Sequence, residues 1–474
     1  MIFLQKFKSD IIVGIEVHVE LSTETKLFCG CKTHEDDTPN SRCCEVCLGH
    51  PGSKPVLNKK AVEYALKLCL ALGCKVNPEL IFSRKSYFYP DMAKNYQISQ
   101  YEIPLATKGK LALSTGKEIG IARVHMEEDP AALIHPAGMM ESAYVLVDYN
   151  RSGDPLVEVV TEPELSSPEE ARDFMKQLIS ILNYLGIFDV DRCIIKADAN
   201  ISIKESNYTR VEIKNITGFK EIERALKYEV ERQKSVIGDG KEIVQQTRAW
   251  DSDKGITIAL RKKEVEEEYG YIIDPDLTVV DITKDWLKEI EEEMPELAKE
   301  KVKKFIKKYK LQPADAEVLA SEKLLAELFE KVAEKIDPLL AAKWLRRELM
   351  RVLNYNKKAL KDVAIDEQHM IELLQMIKEK AITERTAQKM LEKLIVKPFS
   401  PRDYVKKLGV KVVGGEKEIE KICKEVIKEN PKAIQDYKAG EAKAIQYLIG
   451  QVMAKTRGQA DPAVVNKIMK ELIK

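Results

Sequence analysis

The chemistry-bearing residues of this chain fall on alternating positions. In Ile15-Glu16-Val17-His18-Val19-Glu20, a period of two puts Ile15, Val17 and Val19 on one strand face and Glu16, His18 and Glu20 on the other. The pattern recurs where Arg123, His125 and Glu127 alternate with Val124 and Met126. It recurs again where Lys196, Asp198, Asn200 and Ser202 alternate with Ala197, Ala199, Ile201 and Ile203. Arg210, Glu212 and Lys214 alternate with Val211 and Ile213. Such alternation predicts an antiparallel sheet with one face packed and one open. Strands ordinarily under-use Glu, Asp and Asn, and mixing carboxylates with cations is what holds a divalent ion against phosphate oxygens. Glu128, Asp148 and Glu158 lie on neighbouring segments that can join the face. The chemistry that fits is Mg²⁺-dependent phosphoryl transfer. The chain has neither a Gly-x-x-x-x-Gly-Lys-Ser/Thr segment nor a Gly-x-Gly-x-x-Gly loop, so an ATP site here is neither a P-loop nor a protein-kinase fold.

A second cluster suits a different metal. Cys29-Gly30-Cys31 is followed, after an intervening loop, by Cys44-Glu45-Val46-Cys47. Two close thiolate pairs are the spacing of a closed, structural zinc site, with Cys43 competing with Cys44 as a ligand. Cys69 and Cys74 lie on an apolar helical pattern, and Cys193 and Cys423 are isolated, so all four read as buried small hydrophobes.

These residues need two kinds of scaffold. Residues 10–290 have a mixed α/β texture. A helix starts at Ser167-Pro168-Glu169-Glu170 with capping-box spacing and carries Phe174, Leu178, Ile181, Leu182 and Leu185 inward. Another starts near Thr217 and carries Ile222, Ala225, Leu226 and Val230. From Asp285 the pattern is helical to the C-terminus. Glu289–Glu293 followed by lysines at 301, 303, 304, 307, 308 and 310 reads as a solvated helix whose acid-first order suits the macrodipole. Two prolines in Lys397-Pro398-Phe399-Ser400-Pro401 mark a further boundary. Expected divisions are therefore 1–294, with the cysteine loop inserted at about 28–50, then 295–398 and 399–474; about three domains suit 474 residues.

Charge follows the same division. The formal net charge is zero, yet residues 1–300 carry −13 and residues 301–474 carry +13. At 44% hydrophobic and 32% charged residues the chain can bury cores, which excludes wholesale disorder. No apolar run approaches the ~20 residues that span a bilayer, and the N-terminus lacks signal-peptide character. The expectation is a cytoplasmic protein without a membrane partner.

The motifs now permit a comparison. Gly14-Ile15-Glu16-Val17-His18-Val19, Cys44-Glu45-Val46-Cys47-Leu48-Gly49 and Arg84-Lys85-Ser86-Tyr87-Phe88-Tyr89-Pro90-Asp91 resemble the GatB family, the B subunit of the tRNA-dependent amidotransferase. So do His125-Met126-Glu127-Glu128-Asp129, Val147-Asp148-Tyr149-Asn150-Arg151, Arg210-Val211-Glu212-Ile213-Lys214-Asn215, Asp436-Tyr437-Lys438-Ala439-Gly440 and Gly450-Gln451-Val452-Met453. The resemblance runs over essentially the whole chain. One departure is Tyr271-Ile272-Ile273-Asp274-Pro275-Asp276-Leu277, where the family often has Tyr-Phe-Pro-Asp-Pro-Asp-Leu.

That resemblance implies an α+β protein. Its cradle domain is similar to the glutamine synthetase and guanido kinase fold and is built on an antiparallel sheet, followed by all-α helical and tail domains. It implies a heterotrimer with a glutaminase A subunit and a small C subunit. The activity implied is ATP- and Mg²⁺-dependent phosphorylation of the side-chain carboxylate of Glu-tRNA(Gln) or Asp-tRNA(Asn), then amidation by ammonia. With residue chemistry, motif position assigns Glu16, His18 and Glu128 to Mg²⁺, with Glu127, Asp198 and Glu212 close behind. Lys85, Arg151 and Lys214 would meet phosphate charge, and His125, Asp148, Glu158, Asn200 and Arg210 would complete the nucleotide site. Tyr87, Tyr89 and Tyr96 are candidates for stacking on the terminal adenosine of tRNA. Lys438, Lys443, Lys455, Arg457 and Lys467 are candidates for its phosphates. Two rivals stand: a free-standing carboxylate–amine ligase and a zinc-containing RNA-binding adaptor without chemistry.

Overall fold

The computed structural model describes residues 10–137, 142–261, 269–408, 416–438, 441, 443–456, 460 and 462–473. They form two compact units that meet in sequence at Leu297/Ala298.

The first unit is organised by a nine-stranded sheet. In chain order its strands are β1 (Ile11–Glu20), β2 (Lys75–Val76), β3 (Ala106–Ala112), β4 (Glu118–Glu128), β5 (Pro155–Thr161), β6 (Ile195–Ile203), β7 (Val211–Thr217), β8 (Gln246–Asp251) and β9 (Ile256–Arg261). The spatial order is β9-β8-β7-β6-β1-β5-β4-β3-β2, so β1 lies at the centre. Ile11, Val13, Ile15, Val17 and Val19 are buried on one side of it, as the alternation requires. Helices α1 (Lys59–Ala71), α2 (Pro168–Leu185) and α3 (Phe219–Gly238) contribute apolar residues to the same core. The sheet is not wholly antiparallel. β7 and β8 pair in parallel, because α3 carries the chain between them as a crossover.

Local signals explain the helix ends. Ser167 Oγ accepts from Glu170 N at 3.1 Å and caps α2, and Gly186 takes φ +68° just beyond its last turn. The Glu170 carboxylate accepts from Ser166 N, one residue before the cap that a strict capping box would use. The acid-then-base run is divided. Glu289–Glu292 closes α4 (Lys284–Glu292), whereas Lys301–Lys308 lie on a separate helix, Ala298–Tyr309.

The second unit is helical. Pro398 and Pro401 end one helix and start the next without ending the packed group. Helix Pro401–Leu408 contacts helix Glu367–Lys378, and Ser400 Oγ donates to Glu372 at 2.8 Å. A separate apolar cluster begins at Ile419 and joins Cys423, Val426, Leu448, Val452, Val465 and Met469. Among the described residues, no helix is long and apolar enough to cross a membrane.

Candidate active site

The open sheet face gathers its ionisable groups by register. Glu158 of β5 pairs with His18 of β1 on one side and with His125 of β4 on the other. One carboxylate therefore lies between two imidazoles, with Glu158 Oε2 3.1 Å from His125 Nε2 and 3.8 Å from His18 Nδ1. His18 Nδ1 is also 3.1 Å from Glu127 Oε1. Ligand atoms of His18, Glu127 and Glu158 lie within 4.8 Å of one another, the spacing of a candidate metal triad.

Burial and charge compete at this row. Burial alone would lower His18, but Glu158 and Glu127 push its pKa up to about 10. His125 is raised for the same reason, burial opposing and Glu158 prevailing. Burial would raise Glu158, but His125 and His18 hold it well below the usual carboxylate range. With no cation bound, the row is an imidazolium–carboxylate chain; with one bound, the same atoms are a ligand set.

A second group adjoins it toward β7. Glu16 is in register with Asp198, and its Oε1 accepts from Asn200 Nδ2 at 3.1 Å. Lys214 Nζ lies between two carboxylates, 2.8 Å from Asp198 and 3.0 Å from Glu212. A register shift between Ala197 and Ala199 helps place Asp198 against this lysine. Asn215, at φ +65°, donates its N–H to Asp198 Oδ1. Burial opposes the charge on Lys214, but the two carboxylates raise its pKa. Burial, then Glu158 and Asp198, push Glu16 up against the opposing pull of Lys214. His125 Nδ1 and Asn200 Oδ1 are buried without hydrogen-bond partners. An acid-rich face with idle polar atoms fits a hydrated divalent cation and the oxygens of a polyphosphate.

Several expected members lie elsewhere. Glu128 follows Glu127 and so has the opposite strand parity; its carboxylate accepts from Lys94 Nζ at 2.7 Å and from Ile98 N at 2.8 Å. Glu127 and Glu158, rather than Glu128, stand beside His18. Asp148 accepts from Asn40 N and Asn150 N and ties down the cysteine loop. Arg151 is taken by Asp129, at 3.1 Å, and by the Pro130 and Ala131 carbonyls. Lys85 lies on a small separate sheet with its Nζ 4.7 Å from the Tyr269 ring centroid. Arg210 is exposed just before β7. Tyr87 meets Tyr269 edge-on, Tyr96 lies under Arg84 and Lys94, and Tyr89 is exposed. Lys438, Lys443 and Lys467 are exposed on the C-terminal helices. Lys455 pairs with Glu429 at 2.5 Å, and Arg457 lies outside the described residues.

Two functional-looking cations had no strand pattern to reveal them. Lys94, in a loop, is buried against Glu128. Arg84 divides its guanidinium between Asp274 and Asp276, both at 2.8 Å. It thus fastens the Asp274-Pro275-Asp276 segment onto the strand that carries Lys85.

The cysteine loop forms a compact thiol cluster. Cys47 Sγ is 3.9 Å from Cys29, 3.8 Å from Cys31 and 3.7 Å from Cys44. Tetrahedral ligands at Zn–S of about 2.3 Å are about 3.8 Å apart, so these four thiols have a zinc site's dimensions. Cys43 is not among the four. Hydrogen bonding from Cys29, aided by Lys26, pulls the Cys47 thiol toward the thiolate a metal needs against the opposing effect of burial, while the same bond holds Cys29 up.

Comparison with known proteins agrees with this architecture. The family model of the GatB/GatE catalytic domain matches residues 11–288, and that of the GatB domain matches residues 327–473. The chain is similar to the B subunit of the aspartyl/glutamyl-tRNA(Asn/Gln) amidotransferase of Carboxydothermus hydrogenoformans, at 41% identity over 97% of this chain and 98% of the relative. The corresponding protein of Persephonella marina is 42% identical over 98% of this chain and 99% of its own length. That of Thermotoga maritima is 40% identical over 98% of both. The open acidic sheet, the cysteine loop and the helical second unit are thus those of a chain that belongs to the family of aspartyl/glutamyl-tRNA(Asn/Gln) amidotransferase B subunits.

Proposed function

We propose that this chain is the activating subunit of a tRNA-dependent amidotransferase that takes Glu-tRNA(Gln), Asp-tRNA(Asn) or both. A free carboxylate is a poor electrophile, so amide formation needs a better leaving group than oxide. A side-chain carboxylate oxygen attacks the γ-phosphorus of ATP, and ADP leaves. Ammonia nitrogen then attacks the resulting acyl carbon, and phosphate leaves with one former carboxylate oxygen. The overall reaction belongs to the glutamine-hydrolysing carbon–nitrogen ligases, with ammonia supplied by a glutaminase A subunit and a small C subunit completing the heterotrimer.

The observation that carries this reading is the union of His18, Glu127, Glu158, Glu16, Asp198, Glu212 and Lys214 on one sheet face. Glu16, His18, Glu127 and Glu158 are the residues that would hold Mg²⁺, with Asp198 adjoining. When bound, Mg²⁺ supplies charge neutralisation at phosphate oxygens. Lys214, kept cationic by its two carboxylates, is placed to meet phosphate charge. His125 orients Glu158, which in turn orients His18. Cys29, Cys31, Cys44 and Cys47 would hold structural Zn²⁺, with no open position for chemistry. The excess positive charge of residues 301–474 suits the tRNA body.

The test is amidation of both misacylated tRNAs with the A and C subunits added together and singly. Amide on the tRNA, requiring ATP and all subunits, is the expected result. ATP-driven amidation of free glutamate or aspartate without tRNA would instead support a free-standing ligase. RNA binding without any turnover would leave only an adaptor.

A further inference from the structure

A second group of metal-ligating side chains lies outside the sheet-face site and the four-cysteine cluster. Glu20 ends β1, His34 belongs to the cysteine-rich loop, and Cys193 lies in the turn before β6. One ligand atom from each lies within 4.8 Å of the other two. Three distant segments converge here on a sulfur, a nitrogen and a carboxylate oxygen.

Cations lie around this group, Arg151 and Lys196 acting on Glu20 and Arg42 and Arg192 on His34, yet buried polar atoms within it stay unpartnered. Glu20 and Cys193 are buried, and one Glu20 oxygen accepts from Ile194 N at 2.8 Å. His34 Nε2 is buried with no hydrogen-bond partner. Asp154, 2% exposed, has its own buried Oδ1 without a partner. It lies two residues before Leu156, the register partner of Glu20. The buried Lys26 does not answer the need, because its ammonium donates to the carbonyls of Arg42, Tyr149 and Ser152. Arg151 is likewise committed to Asp129 and two carbonyls. Idle buried polar atoms are costly unless something binds them.

We propose that Glu20, His34 and Cys193, with Asp154 beside them, form a second site for a zinc-class divalent cation. The donor set decides the class. Magnesium and calcium are hard ions that bind thiolate poorly, so the Cys193 sulfur, with imidazole and carboxylate, suits zinc or its cobalt substitute. Zn–S of about 2.3 Å and Zn–N of about 2.0 Å place ligand atoms about 3.5 Å apart, within reach of small side-chain rotations. The site ties the loop bearing His34 to the end of the central strand and to the turn before β6. Loop and sheet would then be fastened by two metals, one inside the loop and one at its seam.

The test uses the full chain reconstituted with Co²⁺ or Zn²⁺ and freed of loose metal. Elemental analysis should find one ion fewer per chain in both Cys193→Ala and His34→Gln than in the wild type. Cys29→Ser should lose an ion independently, so that Cys29→Ser with Cys193→Ala lacks two. In the Co²⁺ form, Cys193→Ala should lose part of the thiolate-to-metal absorption while keeping that of the four-cysteine cluster. As a check free of mutational folding defects, Zn²⁺ should protect the wild-type Cys193 thiol from alkylation, and chelation should expose it. Unchanged metal content in folded Cys193→Ala, or alkylation of Cys193 at the same rate with and without Zn²⁺, would overturn the proposal.

Discussion

His18 reaches past an intervening strand to Glu127, with His18 Nδ1 3.1 Å from Glu127 Oε1 although β5 separates β1 from β4. The carboxylate of Glu158 on that intervening strand lies beside both histidines. The row therefore behaves as one electrostatic unit, and changes to any member should be felt by the others.

Stability should report this coupling through pH. The His18 pKa rises from 6.5 to about 10 on folding, so its contribution is fully present below 6.5 and is lost as pH rises through 10. Glu158 shifts downward from 4.5, so its contribution is present above 4.5 and is lost as pH falls through its folded value. Denaturant unfolding of metal-free wild type and His18→Gln should differ most near pH 5–6.5 and converge toward pH 10. A difference that grows with alkaline pH would contradict the charged-row account.

The Lys94–Glu128 pair is expected to be structural. Both side chains are almost fully buried, and Glu128 also accepts from Ile98 N. Lys94→Met should destabilise the first unit by about 3–5 kcal/mol, because it leaves a buried carboxylate unpaired. Adding Glu128→Gln should recover part of that loss. Urea denaturation of the two variants checks both statements.

The C-terminal helices should separate tRNA grip from chemistry. Deleting residues 416–474 removes the apolar cluster that begins at Ile419 together with exposed Lys438, Lys443 and Lys467. Binding to full-length tRNA should weaken at least tenfold and lose part of its salt dependence. ATP hydrolysis on an acylated minihelix should largely survive. Filter binding and phosphate release measure the two activities, and equal loss of both would contradict the division.

The strand faces were legible because period two is local: Glu16, His18, His125, Asp198 and Glu212 all share the open face, which Glu158, on a strand without alternation, joins. Register was not legible, since no local signal says that Glu158 sits between two histidines. Glu128 illustrates the difference. Its neighbour Glu127 has the parity of the open face, and the partner that claims Glu128 comes from a loop with no periodicity. The parallel β7–β8 pair was hidden for a similar reason, because alternation reports which face is buried and says nothing of strand direction. The cysteine cluster was readable from spacing alone, yet His34 and Cys193 meet only through the fold. The two prolines near Ser400 did mark a helix break, but Ser400 binding Glu372 keeps the following helix within the preceding group.

The central claim is that this sheet face makes an acyl phosphate. The direct measurement is oxygen transfer from a misacylated tRNA whose glutamyl side-chain carboxylate carries ¹⁸O, followed by ³¹P NMR of released phosphate. With the assembled wild-type enzyme, ¹⁸O should appear in phosphate in step with amide formation. In Glu16→Ala and His18→Ala, that transfer should fall by ~10² or more while tRNA binding persists. Phosphate free of ¹⁸O in the wild type, or undiminished transfer in both variants, would contradict the account.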